Sequence, residues 1–314
     1  MLLRSGNSIW ADRSLVAIFG VALAAWPSCA QNHFSRELPA FRTDSTLVLV
    51  PVTVVDRHGA VVNGLASDAF TLTENGVRQQ IRSFSQEDVP VSMGIVLDMS
   101  GSMQRVLGTA KESLRALMQD ANPADEAFLN SVSTRPQAHS AFTHNFDEIL
   151  SRVAWEKAGG STALIDAIYG SLQQLHSGAH PRKALLIISD GMDNHSRYSQ
   201  EELMRYAMEA GAQVYTIAVS APSQTAKPIE LTEERKGALF LQELAAKTGG
   251  IGFIVHNQND IAEAVTGIGQ ALRNEYALGY MPDGTDRTGR WRRIKVRVAG
   301  SGMTAYARSG YRLE

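Results

Sequence analysis

Cysteine is almost absent from this sequence of 314 residues, in which Cys29 is the only one. If a leader ends at Ala30, the remaining chain has no cysteine, and disulfide bonds cannot stabilise it. A large excess of charge is missing as well, because the formal net charge is −2. Binding to nucleic acid is therefore not expected. The length and the 44% of hydrophobic residues suffice for one large domain, or for a medium domain with a smaller companion.

Long apolar runs are also missing after the N-terminal region. The run Leu15–Trp26 follows two arginines, is too short to span a bilayer comfortably, and is followed by small residues. We therefore predict that residues 1–30 are a signal peptide, that the protein is periplasmic or secreted, and that the mature chain has no integral membrane segment. Lipid attachment through Cys29 is the less favoured alternative, because Trp26-Pro27-Ser28 is bulky and rigid where small aliphatic residues are expected.

The middle of the chain alternates short apolar strands with amphipathic helices. The first strand, Met93–Leu97, is apolar throughout, which is typical of a strand buried on both faces. Apolar residues at helical spacing follow within residues 103–118. This alternation predicts an α/β fold, a doubly wound and mainly parallel sheet with helices on both faces. The further strands predicted are 126–132, which contains the unexpectedly polar Asn130, 184–188, 214–218 and 252–255; the further helices are 163–175, 199–210, 239–247 and 261–275.

Both flanks of this region have β character. Asn75-Gly76 separates two strand-like runs, the second at residues 80–84, which predicts a hairpin. Strands are also predicted at 277–281, 291–298 and 304–311. Arginine and lysine alternate with apolar residues in 291–298, as in a strand with one solvated face. We expect the flanks, 31–90 and 276–314, to form a small β domain by packing residues 44–87 against the C-terminal segment, with the α/β domain inserted at 91–275.

Three loops carry polar side chains toward one edge of the predicted sheet. Asp98, Ser100 and Ser102 follow the first buried strand, Thr162 lies before the second helix, and Asp190 follows strand 184–188. The carboxyl ends of parallel strands meet at one edge, so two carboxylates and three hydroxyls should converge there. Oxygen ligands favour Mg²⁺ or Mn²⁺ over zinc or copper. Because hydroxyls are neutral, such a metal would still attract a carboxylate supplied from outside.

These motifs are Asp-x-Ser-x-Ser at 98–102, Gly-Gly-Ser-Thr at 159–162 and Ser-Asp-Gly at 189–191. They resemble the metal-ion-dependent adhesion site of von Willebrand factor type A domains, over roughly residues 91–275. The resemblance implies that the three hydroxyls contact the metal and that the two aspartates hold it directly or through water. It also implies that an Asp or Glu of a protein partner completes the shell. The flanks, including residues 52–56, are similar to secreted bacterial VWFA-related proteins.

The predicted function is that of a metal-dependent protein-binding module outside the cytoplasm, used in adhesion or as a scaffold, and not that of an enzyme. Two alternatives stay open, and so does the oligomeric state. A magnesium-dependent phosphatase using Asp98 as nucleophile would need a second carboxylate two residues on, where the chain has Ser100. An envelope structural protein would act through its β domain.

Residues around the predicted metal are expected to decide which partner binds. We predict that the regions around Met103 and Asn194, together with the segment 220–227, form this surface. Asp193 is interpreted as a turn or surface carboxylate outside the site.

Overall fold

The computed structural model describes residues 47–154, 157–220, 228–282 and 290–312. The predicted signal peptide, residues 1–30, lies outside the described residues. Within the described ranges, every helix is too short or too polar to cross a membrane.

The described chain contains strands and helices in the order that follows. The strands are β1 (Val48–Val55), β2 (Phe70–Glu74), β3 (Val77–Gln79), β4 (Ile81–Gln86), β5 (Val91–Asp98), β6 (Glu126–Val132), β7 (Pro136–Ala138), β8 (Arg182–Ser189), β9 (Gln213–Val219), β10 (Gly252–Val255), β11 (Tyr276–Tyr280), β12 (Trp291–Val298), β13 (Thr304–Ala307) and β14 (Gly310–Arg312). The α-helices are α1 (Leu107–Gln119), α2 (Phe146–Ala154), α3 (Leu164–Leu175), α4 (Gln200–Glu209), α5 (Pro228–Thr248) and α6 (Gln258–Arg273).

Six strands form the central sheet, in the order β10-β9-β8-β5-β6-β7. The edge strand β7 runs antiparallel to β6, and the other pairs are parallel. α1, α2 and α6 pack on one face around Leu114 and Ile268, and α3, α4 and α5 pack on the other around Ile168 and Leu241. All residues of β5 are buried, because this strand has a neighbour on each side and helices on both faces. The predicted α/β class is confirmed.

The flanking segments pair with each other in two antiparallel sheets of four strands. The strand orders are β13-β1-β11-β4 and β14-β12-β2-β3, so each sheet combines strands that precede and follow the central sheet in the chain. Val50 and Leu278 of one sheet share an apolar core with Leu72 and Val296 of the other. Arg293, Lys295 and Arg297 of β12 are exposed, as the alternation in that strand predicted, whereas Arg292 is buried and pairs with Glu74.

Strand pairing in the β region differs from the sequence prediction at two points. Asn75 and Gly76 have φ angles of 49° and 86°, and two positive φ angles are what a type I′ hairpin turn requires. However, β2 pairs with the short β3, while β4 crosses to the other sheet and pairs with β11. The predicted strand 304–311 is likewise divided into β13 and β14, which belong to different sheets.

Two helices differ from the sequence prediction, and the structure explains the polar residue Asn130 in β6. α5 begins at Pro228 rather than Leu239, and α2 was not predicted at all. β6 has the predicted bounds in spite of Asn130. The Asn130 amide is buried and donates to Ser171 Oγ at 2.9 Å and to Gln174 Oε1 at 3.1 Å, both on α3. These bonds satisfy the amide N–H groups that burial removes from water.

A buried ion pair joins the central sheet to the β region. Arg182, the first residue of β8, places its guanidinium Nη2 2.8 Å from Glu275 Oε2, directly before β11. The same guanidinium donates to the Leu272 carbonyl at 2.6 Å, and the Gln213 amide donates to the Glu275 carboxylate. Burial raises the pKa of Glu275 in spite of the favourable charge of Arg182. Removal of either partner would therefore leave a charge buried without compensation.

Candidate metal site

The five predicted ligands lie in three loops at the carboxyl edge of the central sheet. Asp98 ends β5, and Ser100 and Ser102 follow it at the start of a short 3₁₀ turn. Asp190 directly follows β8, the parallel neighbour of β5, and Thr162 lies just before α3. The backbone N–H of Gly159 donates to the Met99 carbonyl at 2.8 Å. This bond joins the loop after Asp98 to the loop that contains Thr162.

Asp98 is held in place by hydrogen bonds to both carboxylate oxygens. Ser189 Oγ donates to Oδ2 at 2.5 Å, and the Ser100 backbone N–H donates to Oδ1 at 2.8 Å. The residue is fully buried. Burial raises the pKa of Asp98 to about 6, and the negative charge of Asp190 contributes to the same effect. The site therefore contains an aspartate whose ionised form lacks full compensation from the protein.

Asp190 is also buried, and its surroundings likewise disfavour its ionised form. Burial raises its pKa, while hydrogen bonds from the Ser102 hydroxyl and from the Met192 backbone N–H, at 3.0 Å, act in the opposite direction. The Ser102 and Ser100 hydroxyl oxygens are 3.0 Å apart. Carboxylate and hydroxyl oxygens from two loops thus form one connected group.

Thr162 is positioned by the loop that follows Asp190. Its backbone N–H donates to Asn194 Oδ1 at 3.0 Å, and its carbonyl accepts from the Asn194 backbone N–H at 3.1 Å. Asp193, interpreted from sequence as lying outside the site, accepts from the Ile165 backbone N–H at 2.8 Å. Asp193 therefore ties the Asp190 loop to the start of α3. No local sequence signal connects these residues, because they are far apart in the chain.

The predicted surface around the site requires one correction. Met103 is fully buried and packs in the core with α1, so it cannot contact a partner. Its position is that of the first apolar residue of the helical pattern, and the apolar face of that pattern turns toward the sheet. Of the segment 220–227, only Ser220 lies within the described residues.

The donor set fits a hard divalent cation. Two buried carboxylates with raised pKa values repel one another, and a cation between them would offset that repulsion. Within the described ranges, no group of three or more His, Cys, Asp or Glu side chains could hold a metal. A metal at this edge would thus depend on hydroxyl ligands, which suit magnesium or manganese better than zinc.

Without metal, replacement of Asp98 by asparagine should stabilise the protein at neutral pH. The pKa of Asp98 is raised from 3.8 to about 6. Ionisation of this carboxyl therefore lowers the free energy of unfolding as the pH rises through this interval. Above this interval the loss of stability is complete and is on the order of 3 kcal/mol, since each pKa unit corresponds to about 1.4 kcal/mol. Asparagine has no such penalty. Urea unfolding in EDTA should give the Asp98→Asn variant a higher free energy of unfolding at about pH 7.5, and little advantage at about pH 4. An equal advantage at both pH values would contradict this explanation.

The open, mainly parallel sheet, with helices on both faces and polar loops at its carboxyl edge, defines a doubly wound α/β domain, and the candidate metal site lies at that edge. Residues 93–192 match the family model of the von Willebrand factor type A domain. Residues 93–192 therefore belong to a von Willebrand factor type A domain, and the predicted resemblance is confirmed for this part of the chain.

Solved structures with a similar fold include the conserved hypothetical protein BatB from Bacteroides thetaiotaomicron, with 20% identity, coverage of 58% of this chain and 98% of that chain, and a TM-score of 0.46. The vWF domain of the type V pili tip protein Mfa5 from Porphyromonas gingivalis has 13% identity, covers 59% and 95%, and has a TM-score of 0.47. A von Willebrand factor type A protein from Catenulispora acidiphila has 10% identity, covers 87% and 74%, and has a TM-score of 0.48. No curated protein matches the sequence.

Proposed function

We propose that this protein is a metal-dependent protein-binding module that acts outside the cytoplasm, as an adhesin or a scaffold. Domains of this family commonly bind proteins and are mostly non-enzymatic. The observation that carries the proposal is the pair Asp98 and Asp190, two buried carboxylates with raised pKa values beside serine hydroxyls at a loop edge. The location rests on the predicted signal peptide, residues 1–30.

The metal is Mg²⁺ or Mn²⁺, held by Asp98, Ser100, Ser102, Thr162 and Asp190. When bound, it supplies a positive charge that attracts a carboxylate. Three of the five groups are neutral hydroxyls, so they do not reduce this charge. The partner accordingly offers an Asp or Glu side chain. The protein fixes Asp98 beforehand through Ser189 Oγ and the Ser100 backbone N–H. It fixes Asp190 through the Ser102 hydroxyl and the Met192 backbone N–H.

A hydrolase is disfavoured by the surroundings of Asp98. Both of its carboxylate oxygens accept hydrogen bonds from within the chain. Ser100, two residues on, is buried and cannot act as an acid or base at neutral pH. The chemistry of this edge therefore suits binding better than nucleophilic attack.

Titration of the folded protein with Mg²⁺ and with Mn²⁺ in a calorimeter tests the proposal. We expect saturable binding at a single class of site, and removal of the metal with EDTA should also abolish binding of an acidic partner. Folded protein that binds neither ion would contradict the proposal. Partner binding that persists in EDTA would instead favour a structural role of the β region.

A further inference from the structure

The helix α5 lies beside the candidate metal site, because a glycine in each of the two segments lets their backbones approach closely. Gly191, next to Asp190, has a φ of 78°, and its backbone lies against that of Gly237 on α5. A Cβ atom at position 237 would collide with the carbonyl group of Gly191. Only a pair without side chains permits this approach, which brings the preceding turn of α5 toward Asp190.

Glu234 occupies that preceding turn of α5. It lies three residues before Gly237, so both face the same side of the helix. Its Oε1 atom is buried and accepts no hydrogen bond from the described residues, whereas the Ser220 hydroxyl bonds to the carboxylate. Burial raises the pKa of Glu234, and the nearby charge of Asp190 also raises it. The site is thus bordered by a third carboxylate with an unused acceptor atom.

We propose that Glu234 is an outer-shell carboxylate of the metal site, which strengthens binding of the cation and weakens capture of an external carboxylate. This inference rests on the proposed function. Glu234 does not join Asp98 and Asp190 in a direct ligand group, since the described residues contain no such cluster of three. Magnesium usually keeps waters in protein sites, and a buried acceptor without a donor is a group that such a water satisfies.

Opposite effects on the two ligands follow from the charge of Glu234. A negative charge near the site attracts the cation and repels a carboxylate that approaches the cation. Neutralisation of Glu234 should therefore weaken metal binding and tighten the capture of a carboxylate at saturating metal. A residue that only supported the fold would not shift the two affinities in opposite directions.

The test compares Glu234→Gln with Glu233→Gln in the full chain, using Mn²⁺ as the metal and acetate as the carboxylate. Glu233 is the matched control, because its side chain is 55% exposed and pairs with Lys236 on the surface at 3.0 Å. Calorimetry measures Mn²⁺ affinity, and water-proton relaxation at saturating Mn²⁺ measures the displacement of water by acetate. For Glu234→Gln we expect Mn²⁺ affinity to fall on the order of tenfold. Acetate should bind roughly twofold tighter or more.

The expected result also includes wild-type behaviour of Glu233→Gln and an unfolding midpoint of metal-free Glu234→Gln no lower than that of wild type. Equal affinities in the two variants would overturn the inference while leaving the metal site intact. A lowered midpoint, or metal and acetate affinities that change in the same direction, would show a structural role and overturn it too. Wild-type protein that binds no Mn²⁺ would overturn the proposed function itself.

Discussion

Asparagine at position 98 is expected to lower the affinity for Mg²⁺ and Mn²⁺ by at least on the order of 100-fold. Asp98 is the most deeply buried acid of the candidate site, and Ser189 Oγ and the Ser100 backbone N–H hold its oxygens in place. Asparagine has almost the same shape but no charge, so it cannot offset the charge of the metal. Calorimetric titration with each ion measures the loss.

The control for this experiment is Asp147→Asn. Asp147 lies on α2 with its side chain 87% exposed, at 3.6 Å from an arginine that is itself half exposed. This variant removes the same formal charge from the protein at a solvated position, where its effect on a distant ion is screened. Unchanged metal affinity is therefore expected. If Asp98→Asn kept wild-type affinity while remaining folded, Asp98 would have no part in a metal site.

Glu275→Ala is expected to lower the free energy of unfolding by about 3–5 kcal/mol, which is typical when one partner of a buried ion pair is removed. The Arg182 side chain is only 11% exposed, so its guanidinium would be left in a nearly dry environment without its anion. The buried Gln213 amide would lose one of its two acceptors and keep only the Gly249 carbonyl, at 3.4 Å. Urea unfolding followed by circular dichroism measures the change.

A surface ion pair of this chain provides the comparison. Glu209 lies 3.0 Å from Arg312, but the two side chains are 40% and 55% exposed. Water solvates either partner when the other is removed, so Glu209→Ala should change the free energy of unfolding by less than about 1 kcal/mol. Similar losses in the two variants would mean that burial of the Arg182 and Glu275 pair has no special effect on stability.

The mixture of correct and incorrect sequence predictions has a physical origin. β5 was predicted within a few residues, because a strand in the middle of a parallel sheet is apolar for most of its length. β6 was predicted with the observed bounds in spite of its polar residues. The start of α5 was missed: its residues 228–238 lack the apolar periodicity on which the prediction depends. The region around Met103 was predicted to form part of the surface around the metal, but Met103 itself is buried, as its place in the helical pattern indicates.

Patterns within short segments were enough to predict the α/β class, the type A domain and the segments that carry Asp98, Thr162 and Asp190. The order of strands and loops in a parallel sheet brings those segments to one edge. Contacts between distant segments established the rest. The crossing of β4 to β11, the bond from Ile165 to Asp193 and the approach of Gly237 to Gly191 each join residues whose local sequences contain no sign of the other. Such contacts form because packing against the rest of the molecule selects one partner for each buried group. The partner therefore depends on the whole fold and cannot be predicted from the local sequence of either segment.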